Sequence, residues 1–129
     1  MLVADASVIA RAVADGGPDG ARFRQRLRGE QIAAPDLLRV EVVSVARRQL
    51  RLGTIDTTQA ERALVDLLEL PVAVYPTAAL RRRCWQLRDN ITSFDACYIA
   101  LAETLDCRLL TADSRLAHVP GPTCPIETI

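Results

Sequence analysis

Residues Thr92 to Leu116 read TSFDACYIALAETLDCRLLTADSRL, and the rest of the chain is organised around this stretch. Thr92 or Ser93 is placed to cap a helix; with Thr92 as N-cap, Asp95 falls at the third helical position, close to a capping box. Ala96, Ile99, Ala100 and Ala102 form a small-residue apolar helix body. Leu105-Asp106 ends it, a strand over Arg108–Thr111 follows, and Asp113 stands directly beyond that strand. In an open parallel sheet, ligands bind outside the carboxyl ends of the strands, which is where Asp113 is expected. Taken singly, both acids have ordinary explanations. Asp95 complements a helix dipole, and Asp113 caps a turn over Ser114–Ala117. A case for chemistry has to come from a coincidence with other acids.

Upstream, Leu2-Val3-Ala4 is an apolar run ending in Asp5, the pattern of a buried parallel strand. Ala6–Ala14 has helical spacing, and Asp15-Gly16-Gly17-Pro18 breaks it. Pro18 then suits the start of a second helix, Asp19–Arg28, which turns Phe23 and Leu27 inward. Gln31–Ala34 reads as a strand closed by Pro35, and a long helix from about Asp36 to Leu52 stops at Gly53. Helix Gln59–Leu68, strand Val72–Tyr75 and helix Ala78–Arg88, capped by Thr77, lead into the opening stretch, and Pro125–Ile129 adds a last strand. Strands and helices alternate with no linker and no repeat. That alternation predicts one α/β domain spanning residues 1–129, with helices on both faces of a parallel sheet.

Composition narrows the class. A chain of 129 residues holds a single core without covalent staples. No apolar run approaches the roughly 18–20 residues of a membrane span, and the start lacks the pattern of a signal peptide. A cytoplasmic protein is expected, with Cys84, Cys97, Cys107 and Cys124 reduced, since no CxxC spacing occurs. Net charge is zero, so composition alone does not predict a nucleic-acid binder. The chain has arginine but no lysine, which excludes a P-loop. His118 is the only histidine, which excludes a two-histidine ribonuclease and leaves a Ser-His-Asp triad without support.

Two further acids complete the coincidence. Glu41 lies beside the apolar stripe Leu38, Val42, Val45 of its helix, and a carboxylate there is costly unless paired or coordinated. Its ordinary explanation is a packed stem with the head in water near Arg39 or Arg48. Asp5, whose ordinary role is to cap the helix starting at Ala6, ends the first strand much as Asp113 follows a later one. Asp5, Glu41, Asp95 and Asp113 are therefore expected in one cleft. Four carboxylates repel one another unless a divalent cation neutralises them. All-oxygen ligands favour Mg²⁺, or Mn²⁺, over zinc, and the matching chemistry is attack of water on a phosphodiester.

At these residues the chain resembles a known family. VADAS at the N-terminus, VEV in an early helix, FDACYIALA and LLTADSRL are similar to PIN-domain nucleases, and the size resembles the VapC toxins of bacterial type II toxin–antitoxin modules. The resemblance spans essentially the whole chain, and FDACYIALA followed by LLTAD is its most specific part. It implies a three-layer αβα sandwich with a central parallel sheet of about five strands. It also implies a Mg²⁺-dependent endoribonuclease, a homodimer and a cognate VapB-type antitoxin. Asp5, Glu41, Asp95 and Asp113 match the family's acidic quartet, and Ser7 and Thr111 match hydroxyl positions near it. Where some members carry a further Asp or Asn after the fourth acid, Ser114 and Arg115 stand here.

Two other classes remain open at this point. An Asp-based phosphatase or receiver domain needs a lysine in its usual form, and the phosphatase needs a second Asp two residues after the first, where Ser7 stands. A catalytically silent RNA- or protein-binding module would keep the fold but has no need of clustered carboxylates. Arg81-Arg82-Arg83 reads as a solvated face, Leu80 and Trp85 as core or interface residues. Leu50, Leu52, Leu64 and Leu68 exceed what one core buries, the mark of an interface.

Overall fold

The computed structural model describes all of residues 1–129. In chain order it contains β1 (Leu2–Ala4), α1 (Ala6–Ala14), α2 (Pro18–Leu27), β2 (Ile32–Pro35), α3 (Leu38–Arg51), α4 (Thr57–Glu69), β3 (Val72–Tyr75), α5 (Arg81–Gln86), α6 (Ser93–Thr104), β4 (Arg108–Thr111) and β5 (Ile126–Thr128). Short 3₁₀ turns occupy Thr77–Ala79 and Ser114–His118.

All five strands are parallel, in the order β3-β2-β1-β4-β5. Val3 stands opposite Ala33 on one side and Leu109 on the other, so the first three residues after Met1 form the centre of the sheet. That position requires burial on both faces, and Leu2, Val3 and Ala4 are all buried. The chain steps outward from β1 to β2 to β3, then returns through α5 and α6 to the other side of β1. The direction reverses between β1 and β4, and crevices at such a reversal are where open α/β sheets bind ligands. Right-handed crossovers place the connections of the two halves on opposite faces. Around α1 gather α2, α3 and α4, whereas α6 lies across β1, β2 and β4 with α5 beside it. The three-layer sandwich expected from the sequence is the architecture found.

Helix α6 carries the fold's most continuous apolar surface. Ala96 and Tyr98 through Ala102 are all buried, which is why small residues dominate it: the helix must sit close against three strands. Helix α3 instead buries only Leu38, Val42 and Ala46, with Val45 half-buried at the edge.

Several boundaries differ from the sequence reading for identifiable reasons. Helix α2 starts at Pro18 as expected, its fixed φ and missing N–H suiting the first turn, and ends at Leu27, one residue before Arg28. Helix α4 begins at Thr57, because Asp56 and Gln59 form a reciprocal capping box. Asp36 stays outside α3: its N–H donates to the Tyr75 carbonyl at 2.8 Å, and its carboxylate accepts from the Thr77 N–H at 3.2 Å. The helix expected over Ala78–Arg88 is a 3₁₀ turn followed by the six-residue α5. Thr77 makes no side-chain cap; its N–H donates to Asp36, and its carbonyl accepts from Leu80 in a tight i→i+3 bond as Leu80 enters the core. Trp85 is 69% exposed, with the Arg88 guanidinium 4.6 Å from its ring centre, so of that pair only Leu80 is core. Nor is the arginine run only a solvated face, since Arg83 pairs with Glu103 at 2.6 Å and donates to the Gly121 carbonyl. All four cysteines are free, and no helix is long and apolar enough to cross a membrane.

The α1–α2 corner is closed by backbone approach. Arg24 donates to the carbonyls of Ala12 and Asp15 at the end of α1, and a Cβ at Gly20 would lie 1.9 Å from the Asp15 carbonyl oxygen. Gly20→Ala is therefore expected to lower unfolding stability by about 1–3 kcal/mol, the cost of forcing packed backbone apart. Gly16→Ala meets nothing within 4 Å and should change stability by less than about 0.5 kcal/mol. Urea unfolding of the two variants checks both values.

Candidate active site

Asp5 is the first residue beyond β1, and the end of a central strand buries it: only 5% of it is exposed. Its carboxylate accepts four hydrogen-bond donors or fewer in any one geometry, and here it has three. Ser7 Oγ and the Val8 N–H donate to Oδ1 at 2.5 and 3.1 Å, and Thr111 Oγ1 donates to Oδ2 at 2.5 Å. The Val8 bond is the N-cap of α1. Thr111 belongs to β4, so its fully buried hydroxyl joins the ends of two neighbouring strands. The join is extended by the Ala112 N–H donating to Ser7 Oγ at 2.9 Å and the Asp113 N–H donating to Thr111 Oγ1 at 3.0 Å. Ser7 and Thr111 thus orient Asp5 and at the same time shape the turn that carries Asp113.

Glu41 lies in the first turn of α3, half-buried beside Leu38 and Val42. Neither Arg39 nor Arg48 meets it. Its partner is Tyr98, whose buried ring comes from α6 and whose hydroxyl donates to Oε2 at 2.5 Å. Asp95 stands one helical turn before Tyr98. Thr92 Oγ1 accepts the Asp95 N–H at 3.2 Å, so Thr92 caps α6, but the reciprocal half of a capping box is absent. No hydrogen bond engages the Asp95 carboxylate.

Electrostatics tie these three acids together. Burial is the main force raising the Asp5 pKa; the Ser7, Thr111 and Val8 donors oppose it, and the Asp95 charge adds to the rise. Burial likewise raises Glu41 against the Tyr98 hydrogen bond, with the charges of Asp95 and Asp5 pushing in the same direction. Like charges within mutual reach have this effect. No arginine forms an ion pair with Asp5, Glu41 or Asp95.

Asp113 differs. It caps the 3₁₀ turn Ser114–His118, Oδ1 accepting the Arg115 N–H at 3.0 Å, and the Arg115 guanidinium grips both its oxygens, the shortest contact being 2.6 Å. That grip holds the Asp113 pKa below the usual carboxylate range. Asp95 and Asp113 nonetheless line one depression of about 210 Å³, together with Asn90, Thr92 and Arg115. Asp95 therefore belongs both to the cluster with Asp5 and Glu41 and to the depression with Asp113. All four acids lie at the carboxyl edge of the sheet.

The donor set suits a hard divalent cation. It offers only carboxylate oxygens and hydroxyls, and three of its acids have no ion-pair partner. No three acids already close around one point, because each is turned to its own partner: Asp5 to the two hydroxyls, Glu41 to Tyr98, Asp113 to Arg115. Mg²⁺ tolerates this spacing, since it keeps several waters and takes only one or two carboxylates directly.

Sequence reasoning overlooked Tyr98 and the engagement of Arg115. The signal for Tyr98 was available: an aromatic with a polar tip amid the small apolar residues of FDACYIALA needs a hydrogen-bond partner when buried.

Comparison with known proteins agrees with this architecture. The family profile described as the PIN domain matches residues 2–122. Ribonuclease VapC9 of Mycobacterium tuberculosis is 36% identical over 129 residues, covering 100% of this chain and 98% of that one. Ribonuclease VapC1 of the same organism is 41% identical over 128 residues, covering 98% and 96%. Among solved structures, the Mycobacterium tuberculosis toxin VapC20, described as cleaving the sarcin–ricin loop, superposes with a TM-score of 0.72 at 14% identity, covering 92% of this chain and 94% of that one. VapBC2 from Rickettsia felis, solved with a promoter DNA fragment, gives 0.70 at 13% identity, covering 99% and 98%. At such identities the structural likeness speaks for the fold alone.

The electrostatics yield a prediction for the cation-free protein. Asp5 and Glu41 bind protons more tightly folded than unfolded, so their ionisation destabilises the fold above the folded-state pKa. That penalty is relieved as pH falls through the folded-state value and is gone below the unfolded one. Asp95→Asn removes one repelling charge and no side-chain hydrogen bond. It should raise the midpoint of thermal unfolding at neutral pH, by up to about 1 kcal/mol of stability, and the gain should shrink as pH drops and Asp5 and Glu41 protonate. Calorimetry of both proteins across pH in the presence of EDTA checks the sign and the trend.

Proposed function

The chain belongs to the PIN-domain family, and from that membership we propose that it is a Mg²⁺-dependent endoribonuclease acting as the toxin of a toxin–antitoxin pair. The observation that carries the proposal is the cluster of Asp5, Glu41 and Asp95, none of them ion-paired with arginine, at the carboxyl edge of the sheet. A fold gains nothing in stability from keeping three like charges there. The relatives' names, VapC9 and VapC1 ribonucleases, support the same activity.

Asp5 and Asp95 are the proposed principal ligands, with Glu41 and Asp113 completing the site directly or through water. Mn²⁺ is an acceptable substitute for Mg²⁺ on the same oxygens. When bound, the cation supplies neutralisation of charge at the scissile phosphate and a water of lowered pKa. The chain's own residues do the rest. Ser7 and Thr111 hold the Asp5 carboxylate in one orientation, and Tyr98 holds Glu41. A carboxylate of the cluster orients a water for in-line attack on phosphorus and takes its proton, as the bond from phosphorus to the leaving ribose oxygen breaks.

For assembly we propose a homodimer that also binds a small VapB-type antitoxin. Val40, Val43, Leu50 and Leu52 of α3 and the following turn, with Val65 and Leu68 of α4, are exposed and supply apolar surface for such contacts; Leu64 is half-buried. Light scattering of the purified chain at micromolar concentration should give the mass of a dimer, and a monodisperse monomer contradicts that part of the proposal.

Asp95→Asn should leave a folded protein whose Mg²⁺-dependent RNA cleavage falls by roughly 100-fold or more, the scale of removing one electrostatic contributor at a reacting centre. EDTA should stop the wild type and added Mg²⁺ restore it. Toxicity on induction in cells should disappear with the same substitution. A wild type that binds RNA without cutting it under any cation would identify a silent binding module instead.

A further inference from the structure

The grip of Arg115 on Asp113 is more than a turn cap needs. The cap is complete once the Arg115 N–H donates to Asp113 Oδ1, yet Nε and Nη2 add contacts of 2.9, 3.2 and 2.6 Å to the same carboxylate. The Arg115 side chain is 88% exposed and meets no other partner, so only the charge of Asp113 fixes its position. Exposed ion pairs of this kind contribute little to stability. A divalent cation that takes the Asp113 oxygens displaces the guanidinium easily, because the same lone pairs cannot serve both. The turn itself is also held by the Leu116 N–H donating to the Asp113 carbonyl, independent of that carboxylate, so the freed head stays on the rim of the depression shared by Asp95 and Asp113. What an unpaired guanidinium finds there, if RNA is the substrate, is a phosphodiester, whose two oxygens match its planar fork.

We propose that Arg115 is a substrate-contact residue held in reserve by Asp113: cation binding at Asp113 releases its guanidinium, which then pairs with a backbone phosphate of the RNA. The proposal rests on the function given above and adds an order to it, in which phosphate contact follows cation binding.

The test measures binding rather than turnover, using wild type, Arg115→Ala and Arg115→Lys. Mn²⁺ is titrated calorimetrically into each RNA-free protein, and binding of a cleavage-resistant 2′-O-methyl oligoribonucleotide is followed by fluorescence anisotropy across a salt series, once with EDTA and once with saturating Mn²⁺. Arg115→Ala is expected to bind Mn²⁺ severalfold more tightly, having lost the competing cation. With Mn²⁺ present it should bind RNA severalfold more weakly, with a log–log salt slope shallower by about 0.7, the value for one phosphate contact on a single strand. In EDTA, where Asp113 holds the guanidinium in the wild type, the two proteins should bind RNA alike. Arg115→Lys keeps a charge and should keep the wild-type slope in Mn²⁺. An unchanged or weaker Mn²⁺ affinity for Arg115→Ala overturns the proposal, as does an equal loss of RNA binding with and without Mn²⁺. A shift of several degrees in its unfolding midpoint assigns Arg115 to structure and overturns it too. A wild type that binds neither Mn²⁺ nor RNA defeats the nuclease function itself, an outcome distinct from a functioning wild type with an indifferent Arg115→Ala.

Discussion

The hydrogen bond from Thr111 to Asp5 joins two residues 106 apart in sequence, and most of the architecture exists to make it possible. Thr111 ends β4 and Asp5 follows β1, and these strands are neighbours only because the chain reverses direction across the sheet between them. The bond places a hydroxyl on a carboxylate at the one edge where both strand ends open into a crevice. Ser7 completes the clamp, receiving the Ala112 N–H while donating to Asp5. The turn that carries Asp113 is thereby built from the same atoms that orient Asp5. A shift in the pairing of β1 with β4 would dismantle both acids' positions at once.

This arrangement also explains a conflict between stability and function. Burial makes the charge on Asp5 costly, and its three donors answer that cost only in part, since its pKa stays raised. Glu41 and Asp95 add repulsion. Two other partly buried acids are compensated by arginine: Glu127 is held by Arg26 and Arg108, and its pKa falls to about 2, while Glu103 is held by Arg83. The contrast within one molecule is informative: where Glu103 and Glu127 are partly buried they meet arginine, whereas the more deeply buried Asp5 and Glu41 meet only neutral donors. Sites that deviate from local stability rules are where a protein's chemistry is usually found.

The sheet, its parallel sense and the placement of the acids could be read from sequence, since strand ends and helix starts are set by short-range signals: apolar runs of three or four residues, caps, and Gly or Pro breaks. The resemblance carried by FDACYIALA and LLTADSRL added the layer count. What escaped was long-range side-chain pairing. The Tyr98–Glu41 bond spans 57 positions and the Asp36–Thr77 bond 41, and no local pattern announces either. For the same reason the local pattern at Glu41 offers only Arg39 or Arg48 as neighbours, whereas its partner is Tyr98 of α6. Asp113 shows the reverse case. Its ordinary role as a turn cap is real, and it also lines the depression that holds Asp95.

The central claim, that Asp5, Glu41 and Asp95 form one centre built to be neutralised by a divalent cation, is open to a direct measurement. Thermal unfolding of wild type and Asp95→Asn is followed with increasing Mg²⁺. A cation that binds only the folded state stabilises it by RT ln(1 + [Mg²⁺]/Kd), about 2.7 kcal/mol at a hundredfold excess over Kd. The wild-type midpoint is expected to climb with Mg²⁺ and the Asp95→Asn midpoint barely to move, so that the two curves cross. Parallel curves, with the variant gaining as much from Mg²⁺ as the wild type, would contradict the claim.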